Sequence, residues 1–182
     1  IDAKVEQEIG RLAELAPLHN RPCLETLNSV QRHVPEVAQV AVFDSTFHAT
    51  LPEEVRTYPL PWSWTTDWRI RRYGFHGLSC AWCSRRAESL LRGSRQKSDL
   101  DALRESSRLI ICHLGHGCSA TAVRGGVSVD TAMGFTPLEG LMMATRCGSI
   151  DPGIIPYVQT RFGLSAAECE EILNREIGRA HV

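Results

Sequence analysis

Four short stretches of the sequence combine residue types that can handle an anionic substrate. Asp44 closes the apolar run Val37 to Phe43 and is followed by Ser45 and Thr46. A carboxylate at the C-terminal end of a strand can hold Mg²⁺ beside substrate phosphates, with waters between, or it can cap the next turn. Leu114-Gly115-His116-Gly117 is a tight turn with little side-chain bulk. Such a turn lets backbone amides approach a phosphate closely, and it also fits a hairpin that binds nothing. Arg146 stands among small residues ahead of Asp151-Pro152. Its planar fork can bridge oxygens of a transferring phosphoryl group, or it can form a salt bridge, Asp151 being the nearest carboxylate in sequence. His19, His48, His76 and His113 all fall beside expected strand ends or glycines. A lone histidine is more often a structural hydrogen-bonder than a catalyst, and His76, between Gly74 and Gly77, best suits a loop held against a ligand.

These residues need elements to hold them. Apolar spacing predicts a helix over 2–16, a loop from Pro17 through Pro22, and a second helix from Leu24 to Val34, stopped by Pro35. Val37 to Phe43 reads as a buried strand delivering Asp44. Residues 45–68, with Pro52, Pro59, Pro61, Trp62, Trp64 and Trp68, read as irregular with room for a short hairpin, and 69–77 as a loop entering a helix over 78–92. Residues 93–107 are polar and expected to be exposed. Strands are predicted over 108–114, 119–123 and 127–130, the last two joined by a Gly125-Gly126 hairpin, giving a three-stranded antiparallel unit. Helices follow over 152–162 and 165–175, the second opened by the capping-box pattern Ser165-Ala166-Ala167-Glu168. Neither strand system completes a domain alone.

The chain has 182 residues, which is one ordinary domain or pieces of two. Its 43% hydrophobic and 23% charged composition is globular. A net charge of −1 offers nothing to nucleic acid or to an anionic membrane, and no apolar run approaches the roughly 20 residues of a membrane span. The start is polar, without signal-peptide character, and opens on Ile1, so the true N-terminus is expected to lie upstream. Seven scattered cysteines do not make a secreted disulfide framework. Cys80 and Cys83 have CxxC spacing, but zinc would need a second ligand pair and a redox motif a preceding strand, so reduced cytosolic cysteines are the expectation.

Read together, Ala41 to His48, Arg72 to Gly77, His113 to Ser119 and Val129 to Met142 resemble the acetate and propionate kinase family in order and spacing. Ala16 to Asn20 and Thr145 to Gly148 extend the match to residues 4–175. The resemblance implies an α/β fold of the ribonuclease H-like, actin-like ATPase type (the acetate and sugar kinase, Hsp70 and actin superfamily), present as pieces of two domains. Residues 1–47 would end the first kinase domain and 48–175 begin the second. It implies reversible phosphoryl transfer between ATP and acetate, giving acetyl phosphate and ADP, with Mg²⁺, in a cytoplasmic enzyme that is a homodimer when whole. Propionate kinase and a non-catalytic nucleotide-binding module are the alternatives. On the match, Asp44 would serve the metal indirectly, His76 and Arg146 would contact the transferring phosphoryl group, His113, Leu114, Gly115, His116 and Gly117 would form an ATP phosphate loop, and His19 would be a further cleft histidine on the substrate side. His116 stands where the family usually has Asn, Cys80 where it has a second His, and Ser149 where an acidic or amide residue is common. The family's first strand and phosphate loop, the Arg that grips the substrate carboxylate, the adenosine-binding segments and a late metal-binding Glu have no counterpart in these residues. Residues 176–182 leave the family pattern and match, when back-translated, one frame of a sequencing-library adapter, so they are expected to be a non-native tail.

Overall fold

The structure, a computed structural model, describes residues 1–12, 17–92 and 107–176. The chain divides into two units, Ile1–Phe43 and Asp44–Val182.

The first unit is a helix pair. Helix α1, Ala3–Arg11, starts where the Asp2 carboxylate accepts from the Val5 N–H (2.9 Å), and its apolar stripe buries Ile9. Helix α2 runs Pro17–His33 and buries Leu27. The loop expected from Pro17 through Pro22 is therefore helix. Pro17 takes the first helical position, where a missing N–H costs nothing, while Pro22 lies inside and gives up one backbone bond that the 17-residue helix tolerates. The strand expected over 37–43 is also corrected. That stretch has no ladder partner among the described residues, and Val40 is 82% exposed. An apolar run becomes a strand only when another backbone pairs with it.

The second unit is built on a three-stranded antiparallel sheet, as predicted. Strands β1, Arg108–Leu114, β2, Cys118–Arg124, and β3, Val127–Thr131, lie in the order β1-β2-β3. Leu114 pairs with Cys118 and Thr121 with Thr131, with an irregularity between Ala122 and Val123. Gly125 and Gly126 have φ of 58° and 79°, the left-handed pair that a two-residue hairpin of matching twist requires. One face of the sheet turns Ile111 and Val123 against Cys80, with Phe47, Cys83 and Leu109 packed around them. On the other face Ile110, Cys112 and Leu114 of β1 are exposed.

Before the sheet, residues 45–68 hold no hairpin. They form a 3-10 turn at Thr46–His48 and two short helices, α3 at Glu53–Arg56 and α4 at Trp62–Thr66. Helix α5, Gly77–Arg92, follows the loop that carries His76. After the sheet come α6, Ile154–Phe162, and α7, Ala166–Arg175, close to their predicted spans. The polar stretch 93–106 and residues 177–182 lie outside the described residues. Among the described residues no helix is long and apolar enough to cross a membrane.

Candidate active site

The site grows from two backbone turns that the second unit brings together. The first is the entry to α5. His76 has φ of 60°, a left-handed conformation that a side chain disfavours. Asp44 over-determines it from both sides: its Oδ2 accepts from the His76 N–H (2.6 Å) and its carbonyl accepts from the Gly77 N–H (2.7 Å). A Cβ at Gly77 would collide with that carbonyl, so glycine is what lets Asp44 close in. Asp44 thus acts first as a clamp on the backbone of His76. Its other carboxylate oxygen has no hydrogen-bond partner among the described residues.

The second turn joins β1 to β2. The Gly115 N–H is taken up internally by the Gly117 carbonyl (3.1 Å), so it is unavailable to a ligand. Pleating sends His113 to the same side as the α5 entry. Its ring stacks on that of His76 with centroids 3.9 Å apart and planes 20° from parallel, and its Nδ1 meets the Ser79 hydroxyl at 3.0 Å. His76 Nδ1 meets the Ser119 hydroxyl at 2.8 Å. Ser119 is fully buried. In the tautomer where that hydroxyl donates to Nδ1, the proton sits on Nε2, which is then a donor for a ligand oxygen. His76 is held below the ordinary histidine value, by burial first and by His113 next; Asp44 opposes this, and Arg146 adds to it. These surroundings favour its uncharged form.

Arg146 reaches the same place from the loop between β3 and α6. Its Nη1 donates to the Pro137 carbonyl (3.3 Å) and lies 3.8 Å from Met143 Sδ. The expected alternative, an ion pair with Asp151, is absent: Asp151 instead accepts from the Gly153 N–H (2.8 Å). Among the described residues no carboxylate pairs with Arg146. Backbone bonds fix its loop, with the Met143 N–H on the Arg146 carbonyl (2.9 Å) and the Cys147 N–H on Leu173 of α7 (3.0 Å). The Ala144 N–H reaches the His116 carbonyl (3.4 Å), joining this loop to the β1–β2 turn.

Gly117 shows where the His76 and Arg146 side chains converge. A Cβ built there would stand 3.2 Å from His76 Nε2 and 3.5 Å from Arg146 Nη1. Both nitrogens border one small space at the turn, and nothing but a glycine leaves it open. Asp44, His76, His113, Gly117 and Arg146 are thus neighbours, while His116 is exposed and the carbonyl of this residue, rather than its ring, ties down the turn. His19 lies on α2 of the first unit. His48, the fourth flagged histidine, is buried and structural: Nε2–H donates to the Phe75 carbonyl (2.9 Å), which leaves Nδ1 to accept from Ser128 Oγ (2.9 Å). Among the described residues no three His, Cys, Asp or Glu side chains form a metal cage. One carboxylate with a free oxygen fits Mg²⁺, which takes most of its ligands from water and substrate phosphates. Sequence reading missed Ser79 and Ser119, which orient the two stacked histidines. Ser119 adjoins the glycine turn, and that adjacency was the available signal; Ser79 carried none.

A family model described as the acetokinase family matches residues 1–182. The chain is 47% identical over 178 residues to a protein named acetate kinase from Trichormus variabilis, covering 98% of this chain and 42% of that one. It is 49% identical to acetate kinase from a Synechococcus species, again over 98% of the chain and 41% of the relative. Among solved structures, a propionate kinase from Francisella tularensis superposes with a TM-score of 0.86 at 41% identity, covering 97% of this chain and 43% of that one. An acetate kinase from Porphyromonas gingivalis gives 0.83 at 37% identity, over 97% and 42%. The chain spans about 42% of the length of the curated relatives it matches.

Proposed function

The chain belongs to the acetokinase family, and on that premise we propose that the whole protein transfers a phosphoryl group reversibly between ATP and acetate, giving acetyl phosphate and ADP. The observation that carries the reading is the shared space beside Gly117, bordered by His76 Nε2 and by an Arg146 that lacks a carboxylate partner among the described residues. In the forward direction a carboxylate oxygen of acetate forms a bond to the γ-phosphorus as the bond to the bridging oxygen of ADP breaks, and ADP leaves with that electron pair. Acetate is already ionised at neutral pH, so no strong general base is needed. What the protein must supply is alignment and neutralisation of charge on the transferring group. Arg146 supplies a fixed positive fork and His76 a hydrogen bond, in the space that Gly117 keeps open. His113 braces His76 by stacking, and the turn from His113 to Gly117 lies against the nucleotide phosphates. Asp44 holds His76 in its left-handed conformation and would hold Mg²⁺ through water; the metal, when bound, neutralises phosphate charge. His19 is assigned to the substrate side on sequence grounds alone. The whole protein is read as a cytoplasmic homodimer on the family resemblance alone.

The test is hydroxamate trapping of acetyl phosphate made by the whole protein from acetate and ATP. Arg146→Ala is expected to lower kcat about 10²- to 10³-fold. Full activity in that variant sinks the assignment, and no acyl phosphate from the unaltered protein sinks the reaction. A propionate-preferring enzyme is the second reading, favoured by the likeness to the Francisella propionate kinase. One methylene is worth about 10- to 200-fold in kcat/KM, so comparing the two acids on the same preparation decides between them.

A further inference from the structure

Away from that space, Tyr58, Arg72 and Glu139 meet across 67 to 81 residues of chain. Arg72 Nη2 donates to Glu139 Oε1 (2.9 Å). Its Nη1 donates to the carbonyls of Thr131 (3.1 Å) and Ala132 (3.2 Å), and its Nε to the carbonyl of Val55 (3.2 Å). The guanidinium lies 5.4 Å from the centre of the Tyr58 ring. The Tyr58 hydroxyl donates to the other Glu139 oxygen and accepts from the Phe135 N–H (2.8 Å). Gly134 backs onto the group, and a Cβ there would collide with both the Glu139 carboxylate and the Tyr58 hydroxyl. The Arg72 and Glu139 side chains are only 19% and 32% exposed, so the pair is largely desolvated, and both carboxylate oxygens and every guanidinium nitrogen have a partner.

The cluster holds the loop over residues 131–140, and that loop has two arms. Through the Gly134 carbonyl it accepts from the N–H groups of Tyr73 (3.0 Å) and Gly74 (3.3 Å), the backbone that leads directly into His76. Through the Pro137 carbonyl it accepts from Arg146 Nη1. A single hub therefore touches the supports of both groups that border the space at Gly117, while none of its three side chains contacts either group. A simple structural ion pair would need only Arg72 and Glu139. Here the Arg72 fork is shared between a carboxylate and two loop carbonyls, and Tyr58 fixes both the remaining carboxylate oxygen and the next amide.

We propose that Tyr58, Arg72 and Glu139 form a positioning device that sets His76 and Arg146 relative to one another for phosphoryl transfer, an inference that rests on the reaction proposed above. A small displacement of either group is enough to lose much of the rate, because aligned reactants contribute most of the catalysis.

The experiment uses the whole protein carrying Glu139→Gln, which keeps the shape and removes the charge, and Tyr58→Phe, which removes one hydroxyl. Kinetics, melting temperature and the imidazole signals of isotope-labelled His76 are read on each. The proposal expects kcat to fall about ten- to a hundredfold with the KM for ATP within about twofold, and the His76 signals to move. It also expects Glu139→Gln and Arg146→Lys to combine less than additively, since both act through the guanidinium's placement. The proposal is overturned if the variants are folded with kcat and His76 signals unchanged. It is equally overturned if activity falls only in proportion to the folded fraction, which is what a purely structural pair would give. Should Glu139→Gln not fold, Tyr58→Phe decides alone. If the unaltered protein makes no acyl phosphate, the reaction fails rather than the hub, and the His76 signals still judge the hub.

Discussion

His48 and His76 are the same residue type set to opposite tasks by their surroundings. His48 is buried between Ser128 and the Phe75 carbonyl, both ring nitrogens are engaged, and it supports the turn from below. His76 has one nitrogen engaged and the other open beside Gly117. Both are held below the ordinary value of 6.5, each by burial first. For His48 the hydrogen bond to Phe75 and the charge of Asp44 pull the other way without prevailing. A histidine with a depressed folded pKa binds fewer protons folded than unfolded, so its contribution is fully present above the unfolded value of 6.5 and is lost as pH falls toward and through the folded value. Melting temperature should therefore drop as the whole protein is acidified from about pH 7 to about pH 5. In His48→Gln, whose side-chain amide can still donate to Phe75, that drop should be shallower at some cost in stability at neutral pH. An unchanged slope would mean that His48 is not the group taking up the proton. His76 has the same sign, so the variant's curve should flatten without becoming level.

Elements differ in how openly their sequence announces them. The capping box at α7 was readable because it is local: Ser165 Oγ accepts from the Glu168 N–H (3.2 Å) and Glu168 Oε2 accepts from the Ser165 N–H (2.8 Å). Ser165→Ala should cost about 1 kcal/mol, seen as a lower denaturant midpoint, and combining it with Glu168→Ala should add little because the two bonds are reciprocal. Full additivity would show that the cap is not acting as a unit. The β1–β2–β3 meander was equally legible, since its apolar runs and the Gly125-Gly126 turn lie close together in sequence. The run 37–43 misled because pairing is not written in the run itself, and α2 was cut short because Pro17 and Pro22 were read as breakers without regard to helical position. In the site, residue types flagged Asp44, His76, His113 and Arg146 as able to act. What they touch was not legible. The Asp44 bond to the His76 backbone spans 32 residues, the His76 bond to Ser119 spans 43, and the Arg72–Glu139 pair spans 67. Contacts at such separations are products of the fold and have no local pattern.

At the scale of the whole chain, the sheet of the second unit is covered on one face only among the described residues. Ile110 is 72% exposed and Leu114 is 74% exposed, with Cys112 between them on the same side of β1. Among the described residues β1 also pairs on one side only, so its outer backbone edge is open. An apolar face next to an open strand edge is a surface on which other chains can add or stack. Residues 1–182 expressed by themselves should therefore bind a hydrophobic dye and associate as concentration rises, followed by light scattering. Ile110→Lys combined with Leu114→Lys places two charges on the exposed face and leaves Ile111 and Val123 on the packed face untouched. That variant should fold to the same secondary structure, bind less dye and stay dispersed at higher concentration. If the unaltered polypeptide is monomeric and silent toward the dye, the face is not an adhesive surface. If dye binding persists undiminished in the double variant, the adhesive surface lies elsewhere, and exposed Trp62 and Trp68 become the next positions to change.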